Sequence, residues 1–438
     1  MRATTLFMRM ITCCLLLALC SVTPAAEWPQ WRGPEGQGHA TAKNLPTEWS
    51  ETKNVKWKVP IPGHGWSSPV ISGNQIWLTT ATDVAATPAE KKERLKENTG
   101  SQPLIVSSSV TMHAICIDRT TGKVLHDIEI LKVKNPQWIH HLNSYASPSP
   151  ILEGGRLYCA FGTYGTVCLD TKSAKVVWTN DDLNIMHENG PGSTPVLSGD
   201  HLIMHCDGSD AQYVAALDKN TGKLAWKTAR SGKMHANPQL KKSYATPLVV
   251  KIGGRPQVIS PGADWLYSYD PTSGKELWKV PYGKLGFSIV PRPVVGHGMI
   301  FMCTSYMQSE LLAIHYDTDK PAIAWRFKKQ VPNRPSPVLV GDEIYMVSDK
   351  GVANCLNAKT GESHWTKRLG GGYSASPLYA DGKLFFQDQD GKTTVIKPGT
   401  KYEQLAVNQL ADRIMASPAA VGSALYLRTE KSLYRIEK

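Results

Sequence analysis

The sequence predicts an all-β fold: an eight-bladed β-propeller of four-stranded antiparallel blades, closed by its N-terminal strand. Three observations predict it. A Ser/Thr-Pro-apolar start recurs at "SSPVI" (67–71), "PSPIL" (148–152), "STPVL" (193–197), "ATPLV" (245–249), "PSPVL" (335–339), "ASPLY" (375–379) and "ASPAA" (416–420), with "PRPVV" (291–295) as a variant. An Asp or Asn stands eight residues before a Trp in five copies, as in "ALDKNTGKLAW" (216–226). The repeat length, roughly 40–50 residues, is that of a blade of four short strands.

Each start leads through a Gly-rich turn to a short apolar strand, and a third strand runs into the Asp segment. Asp118, Asp170, Asp218, Asp270, Asp317 and Asn357 are expected to end third strands and to accept hydrogen bonds from turn amides. Gly222, Gly274 and Gly361 supply a turn position with positive φ. Trp178, Trp226, Trp278, Trp325 and Trp365 return on outer strands, where a large flat ring fills the wedge between blades. His126 takes that slot in the first copy and Leu405 in the seventh. Eight starts are followed by only seven outer strands. "NVKWKVPI" (54–61), with Trp57, supplies the eighth from the N-terminal side and removes the exposed edges of an open sheet. The propeller therefore spans 54–438, after an N-terminal lead-in over 27–53. One charged insertion, "AATPAEKKERLKENTG" (85–100), is a surface excursion of the first blade.

Residues 1–26 have the form of a signal peptide: Arg2 and Arg9, an apolar run from Ile11 to about Val22, and small residues Ala25 and Ala26. The run is too short to remain as a membrane span. "LALC" (17–20) approaches a lipoprotein box, but Leu19 stands where a small residue belongs. A periplasmic or extracellular protein is expected. The formal charge of +12 falls to +10 when Arg2 and Arg9 leave, because residues 1–26 hold no acid. A basic exported chain without long Lys/Arg runs points away from nucleic acid and toward a protein or glycan at the envelope. A monomer is expected.

In such a blade the second-to-third and fourth-to-next-blade connections share one face. Here they are the long, chemically rich ones. They hold His64, Trp66, His140, His141, Tyr145, His187, Glu188, Tyr244, Arg292, Arg334, Tyr373 and Arg413, joined by Asp264 and Trp265 from loops inside blades. Loops held by a rigid scaffold commonly carry function, so this set forms the candidate ligand face. His140-His141 with His187-Glu188 has ligand types for zinc, copper or iron. Spacing alone does not bring them together, and no metal site is assigned. No catalytic residues are assigned either: a helical His-x-x-x-His pair, a Gly-x-Ser-x-Gly elbow and a phosphate loop are all missing.

"ALDKNTGKLAW" resembles the blade motif of pyrroloquinoline-quinone (PQQ) repeat propellers, Ala-x-Asp-x-x-Thr-Gly-x-x-x-Trp, over residues 54–438. "WPQWRGPEGQG" (28–38) resembles the N-terminal segment of secreted PQQ-like proteins of the planctomycete type. The motif speaks for fold more than for cofactor, since the outer-membrane assembly propeller lipoprotein shares it. The resemblance implies a binding or scaffold protein. Its alternatives are a quinoprotein alcohol or sugar dehydrogenase using PQQ with calcium, and a glycan-binding or glycan-active protein. Quinoprotein dehydrogenases carry a calcium held by Glu, Asn and Asp, an Asp base, a stacking Trp and often adjacent cysteines. Trp66 or Trp265 is suited to stacking a quinone and Asp264 to acting as base. The mature chain has no adjacent cysteines, and no cofactor is assigned.

Cys116, Cys168 and Cys355 occupy a small-residue slot two positions before the repeat's Asp or Asn. In "CAFGTYGTVC" a four-residue turn at 162–165 would set Cys159 opposite Cys168, leaving a disulfide open.

Overall fold

The computed structural model describes residues 27–438 except 97, 99–101, 284–285 and 319. The expected signal peptide lies outside the described residues. Eight antiparallel four-stranded sheets form the blades of a propeller. Their first strands begin at Val70, Ile151, Val196, Leu248, Val294, Val338, Leu378 and Ala419, which number blades 1 to 8 below. Blade 8 is completed by Val55–Pro60, antiparallel to Ser432–Ile436 with Trp57 opposite Arg435, so the ring closes as the sequence predicts.

The Asp-to-Trp spacing has a visible cause. Asp118, Asp170, Asp218, Asp270 and Asn357 each accept backbone N–H bonds at 2.7–3.1 Å from residues two or three further on. These bonds, with those from the hydroxyls of Thr121, Ser173, Thr221 and Ser273, hold the carboxyls of Asp118, Asp170, Asp218 and Asp270 below the ordinary carboxylate range, the Thr221 hydroxyl leading at Asp218. A bulge then sets the Trp opposite the residue two before the Asp: Cys168–Trp178, Ala216–Trp226, Ser268–Trp278 and Cys355–Trp365. The slot that holds cysteine is small because it faces an indole.

Five indoles then reach the next blade. Trp178 donates to the Lys219 carbonyl (3.0 Å), Trp226 to Pro271 (3.1 Å), Trp325 to Ala358 (3.2 Å), Trp365 to Gly399 (3.0 Å) and Trp57 to Arg119 (3.1 Å). The ring lies on the neighbour's turn glycine. A Cβ on Gly222 would sit 2.5 Å from Trp178, and one on Gly274 2.4 Å from Trp226. Those glycines have φ of 73° and 70°, so conformation and contact both demand glycine.

Three sequence expectations are corrected. In blade 5 the turn is two residues longer: Ala313 faces Trp325 and His315 faces Ala322, so His315, not Asp317, holds the repeat position. Trp278, which faces that longer turn, donates to Gln257 of its own blade (3.0 Å). In blade 7 the turn is one residue longer, so the Trp slot falls to Ala406, opposite Val395, and Leu405 points outward. The lead-in fills the vacancy. Trp49 is buried there and packs on Phe385 (6.2 Å), as Trp178 packs on Tyr158 in its own blade. In blade 2 the loop between strands is Phe161–Gly165, five residues rather than four. Cys159 therefore faces Val167, and Cys168 faces Tyr158. A one-residue slip puts the two cysteines on opposite faces of the sheet, and both thiols are free. The His126 expectation holds: it lies opposite Cys116 and stacks on Trp77.

The insertion in blade 1 is an exposed helix, Pro88–Arg94, started by a Thr87/Glu90 capping box.

A Trp226→Ala substitution is expected to lower unfolding stability by about 3 kcal/mol, the lower end for a removed core aromatic because Trp226 is half-buried. Urea titration with an unchanged midpoint would contradict the wedge role.

Candidate functional site

The lead-in also closes one end of the central channel. Trp28 pairs with Ile71 of blade 1, and the Pro29 carbonyl accepts from Leu152 of blade 2. The segment then crosses the ring. Gln37 Oε1 accepts from Val295 of blade 5 (2.8 Å), Arg32 donates to Pro337 O of blade 6 (2.6 Å), and His39–Ala40 adds a parallel strand to blade 7. Trp31 sits in the middle. Its indole donates to Ser417 Oγ (3.2 Å), and its carbonyl accepts from Arg292 Nη1 (3.1 Å). Gly36 is required because a Cβ there would meet the Arg292 guanidinium at 2.2 Å. Burial draws the Arg292 guanidinium down to about 9, and Arg32 likewise, with Arg292 adding repulsion. Both stay cationic at neutral pH.

Above this plug runs a ring of hydroxyls. Backbone N–H groups donate from Ser68 to Ser149 Oγ (2.8 Å), Ser149 to Thr194 (3.0 Å) and Thr194 to Thr246 (3.0 Å). The series continues from Arg292 to Ser336 (2.9 Å), Ser336 to Ser376 (2.9 Å) and Ser376 to Ser417 (3.0 Å). This is the physical content of the Ser/Thr-Pro start. The hydroxyl stitches a blade to the one before it at six of the eight junctions, and Arg292 interrupts the stitch where it instead clamps the plug.

Plug and hydroxyl ring bound a cup of about 540 Å³, within the usual size range of small-molecule sites. Of the predicted face residues, Trp66, His140, Tyr244 and Arg334 line it. Trp66 is fixed by its indole on the Leu142 carbonyl (3.1 Å). His140 Nδ1 accepts the Leu142 N–H (3.1 Å), which leaves the ring proton on Nε2. Burial, then His141 and Arg334, keep His140 below its ordinary value and hence neutral. Tyr244 donates to the His187 carbonyl (2.5 Å). Arg334 is anchored through Nε to Asp349 Oδ1 (2.5 Å). The wall also includes Trp31, Phe287, Tyr306 and Lys242, and among the described residues it has no Asp or Glu.

The other predicted face residues serve the scaffold or stand outside the cup. His64 packs edge-on against Trp66 (4.6 Å), and His141 against His140 (4.7 Å). Tyr145 is buried and bonds the Gln137 carbonyl (3.2 Å), and Tyr373 is fully buried. Glu188 pairs with Lys242 behind the wall. Asp264 forms a left-handed turn residue (φ 64°) whose carbonyl accepts from Tyr282, and the Trp265 indole donates to Lys233 O (2.9 Å). Arg413 is half-buried and bonds Glu430 through its carbonyl. Arg292 belongs to the plug. His187 is buried and accepts from the Thr163 N–H (3.2 Å), so it does not gather with His140, His141 and Glu188 as ligands. Among the described residues no cluster of three or more His, Cys, Asp or Glu side chains could hold a metal ion.

Sequence reasoning missed the plug, the hydroxyl ring and a buried charge cluster between blades 3 and 4. In that cluster Arg230 Nε meets both Asp207 oxygens (3.0 and 3.2 Å), while Nη2 bonds Ser260 (2.8 Å). His205, which bonds Arg230 Nη2 (3.0 Å), lies in the strand His201–Asp207 and Arg230 just past the end of Leu224–Ala229, neither in a motif, so only their contacts identify them.

A family model described as outer membrane protein assembly factor BamB matches residues 39–228, 210–338 and 262–431. The chain belongs to that family. BamB of Moranella endobia (strain PCIT) is 24% identical over 232 residues, covering 52% of this chain and 56% of that protein. The match thus spans about half the length of this curated relative. Among solved structures, BamB from Moraxella catarrhalis superposes with a TM-score of 0.56 at 13% identity, over 87% of this chain and 99% of that one. A europium-containing methanol dehydrogenase gives 0.54 at 10%, over 93% and 90%. Quinohemoprotein alcohol dehydrogenase from Comamonas testosteroni gives 0.52 at 11%, over 94% and 80%. At these identities the BamB-like and quinoprotein-like likeness is one of fold.

Two outcomes follow from the site's construction. Arg292→Ser supplies the hydroxyl used by the other blades but removes the clamp. The amides of residues 33–38 should then exchange hydrogen at least tenfold faster while blade cores stay protected, and unchanged exchange would contradict the plug. His187 titrates at about 4 in the folded chain through burial, against 6.5 unfolded. The unfolded state therefore binds more protons between these values, and stability falls as pH drops from 6.5 toward 4, by about 3 kcal/mol from this group. His187→Gln should flatten that part of the pH profile of urea midpoints.

Proposed function

We propose that this protein is a binding propeller of the cell envelope that takes a small ligand in the cup above its plugged channel. The observation that carries this is the cup itself, a walled volume of about 540 Å³ with two clamped cations, Arg334 and Lys242, four aromatic rings besides Tyr244, and no carboxylate among its described lining residues. Such a wall favours holding over chemistry. Glycoside hydrolysis calls for a pair of carboxyl groups flanking the bond, and neither partner is on this wall. Envelope location and a protein partner at the loop-rich rim rest on the family's description as an assembly factor and on the export signal expected at residues 1–26. No described helix is long and apolar enough to cross a membrane.

The quinoprotein reading is favoured by likeness of fold to the two alcohol dehydrogenases. The residues do not fit a calcium-held quinone. Calcium takes six to eight oxygen ligands, carboxylates among them. The candidate base Asp264 lies outside the cup, and of the two candidate stacking residues Trp66 lines it and Trp265 does not. Purified protein incubated with PQQ and calcium should reduce no artificial electron acceptor with alcohols or aldoses. Quinone-dependent turnover would replace the binding reading with the enzymatic one.

A further inference from the structure

The cup is rich in donors. Ser149, Thr194, Thr246 and Ser417 each accept a backbone N–H from the preceding blade and each keeps its own proton to give. These hydroxyls line the cup. His140, with Nδ1 engaged by Leu142, presents an Nε2–H. Arg334 is held at one edge by Asp349, whose other oxygen accepts from the Asn333 N–H (2.6 Å). That clamp fixes the guanidinium plane, while the side chain remains 22% exposed and Nη1 is buried with no hydrogen-bond partner among the described residues. Arg334, His140 and Tyr306 all line the cup. The aromatic faces share the wall with these hydroxyls, the Trp31 indole donating to Ser417 Oγ (3.2 Å).

A wall of donors with fixed cations and no lining carboxylate is complementary to an oxyanion, because charge-assisted bonds form at the anion while the Asp349 and Glu188 carboxylates stand outside the lining, engaged by Arg334 and Lys242. Aromatic faces beside scattered hydroxyls suit a ring that is apolar on its face and polar at its edge. We propose that the ligand of the cup is a hydroxylated ring bearing one oxyanion: a uronate, a sugar phosphate or a sulfated sugar, with the anion seated on Arg334 and His140. This rests on the binding reading above and names its ligand class.

The test is calorimetric titration of the mature chain with glucuronate, glucose 6-phosphate, glucose 6-sulfate, glucose and PQQ. At least one anionic sugar should bind at least tenfold more tightly than glucose. The preferred anion identifies whether carboxylate, phosphate or sulfate is the group read. Arg334→Gln should weaken that binding at least tenfold, and Arg334→Lys, which keeps the charge but loses the fork, should weaken it less. If Arg334→Gln does not fold, the comparison of anionic sugars with glucose on the unaltered chain still decides. Glucose binding as tightly as every anionic sugar would overturn the oxyanion while leaving the cup as a binding site. Binding of PQQ alone would overturn the sugar. Absence of binding by all five probes would overturn the proposed ligand class, and the cup reading falls as well if a bulky Asn189→Trp variant then matches the unaltered chain in glycan-array and partner-capture assays.

Discussion

The contact between an outer-strand indole and the next blade's turn is the interaction on which this ring depends. A four-stranded blade is twisted, and neighbouring twisted sheets splay apart toward the rim. The wedge between them must be filled by something broad and flat. The indole does this and uses its N–H to satisfy a turn carbonyl on the other side, so one residue supplies area and direction together. The same bond explains three recurring residue types at once. The Asp or Asn shapes the turn that offers the carbonyl, the glycine lets the ring lie flat on it, and the small residue opposite the Trp makes room within its own blade. At the axis the hydroxyl ring does the corresponding work at short range. At the 2–3, 3–4, 5–6 and 6–7 junctions the blades are thus joined twice, by indoles outside and by Ser or Thr inside.

Departures from the repeat show how strong the wedge requirement is. Blade 1 has His126 in the slot, and Gln75 of the same blade takes over the bond to the next turn, donating to Thr171 O (3.3 Å). Blade 4 has its Trp but faces a longer turn, and the indole bonds inward to Gln257. Blade 7 has only Ala406, and Trp49 arrives from outside the repeat. In each case the volume is filled, and only the source of the hydrogen bond changes. Packing density is therefore the stricter requirement, and the polar bond is the adjustable one.

The fold was legible in the sequence because its determinants are local and repeated. A motif seen in blade after blade reports the blade, its turn and its packing, and eight starts against seven outer strands revealed the closure by Val55–Pro60. Errors arose where a loop changed length by one or two residues, in blades 2, 5 and 7. There, counting from a motif assigns the wrong partner, since register is set by hydrogen bonds and not by spacing. The site was half legible. Topology identified the loops, and Trp66, His140, Tyr244 and Arg334 do converge. Which of the other loop residues turn inward depends on side-chain packing that no local pattern encodes. Arg292 shows this well. Its place in "PRPVV" marked it as an exception among Ser/Thr starts, yet the exception is a clamp for a segment some 260 residues earlier.

That clamp connects the chain's architecture to its binding site. Residues 27–60 perform three tasks in sequence: Trp31 closes the channel, Trp49 fills the blade 7 wedge, and Val55–Pro60 completes blade 8. None of the three is possible until the blades they touch exist, and those blades are made from both ends of the propeller. The cup floor is therefore assembled only when the ring is complete. Ser417 makes the dependence explicit: one oxygen accepts from the Trp31 indole of the plug and from the Ser376 backbone of the hydroxyl ring. A cup whose floor and wall share hydrogen bonds is rigid by construction. Rigidity of this kind lowers the entropy cost of seating a small ligand, and it accounts for a site built on strand starts and a buried plug rather than on loops alone.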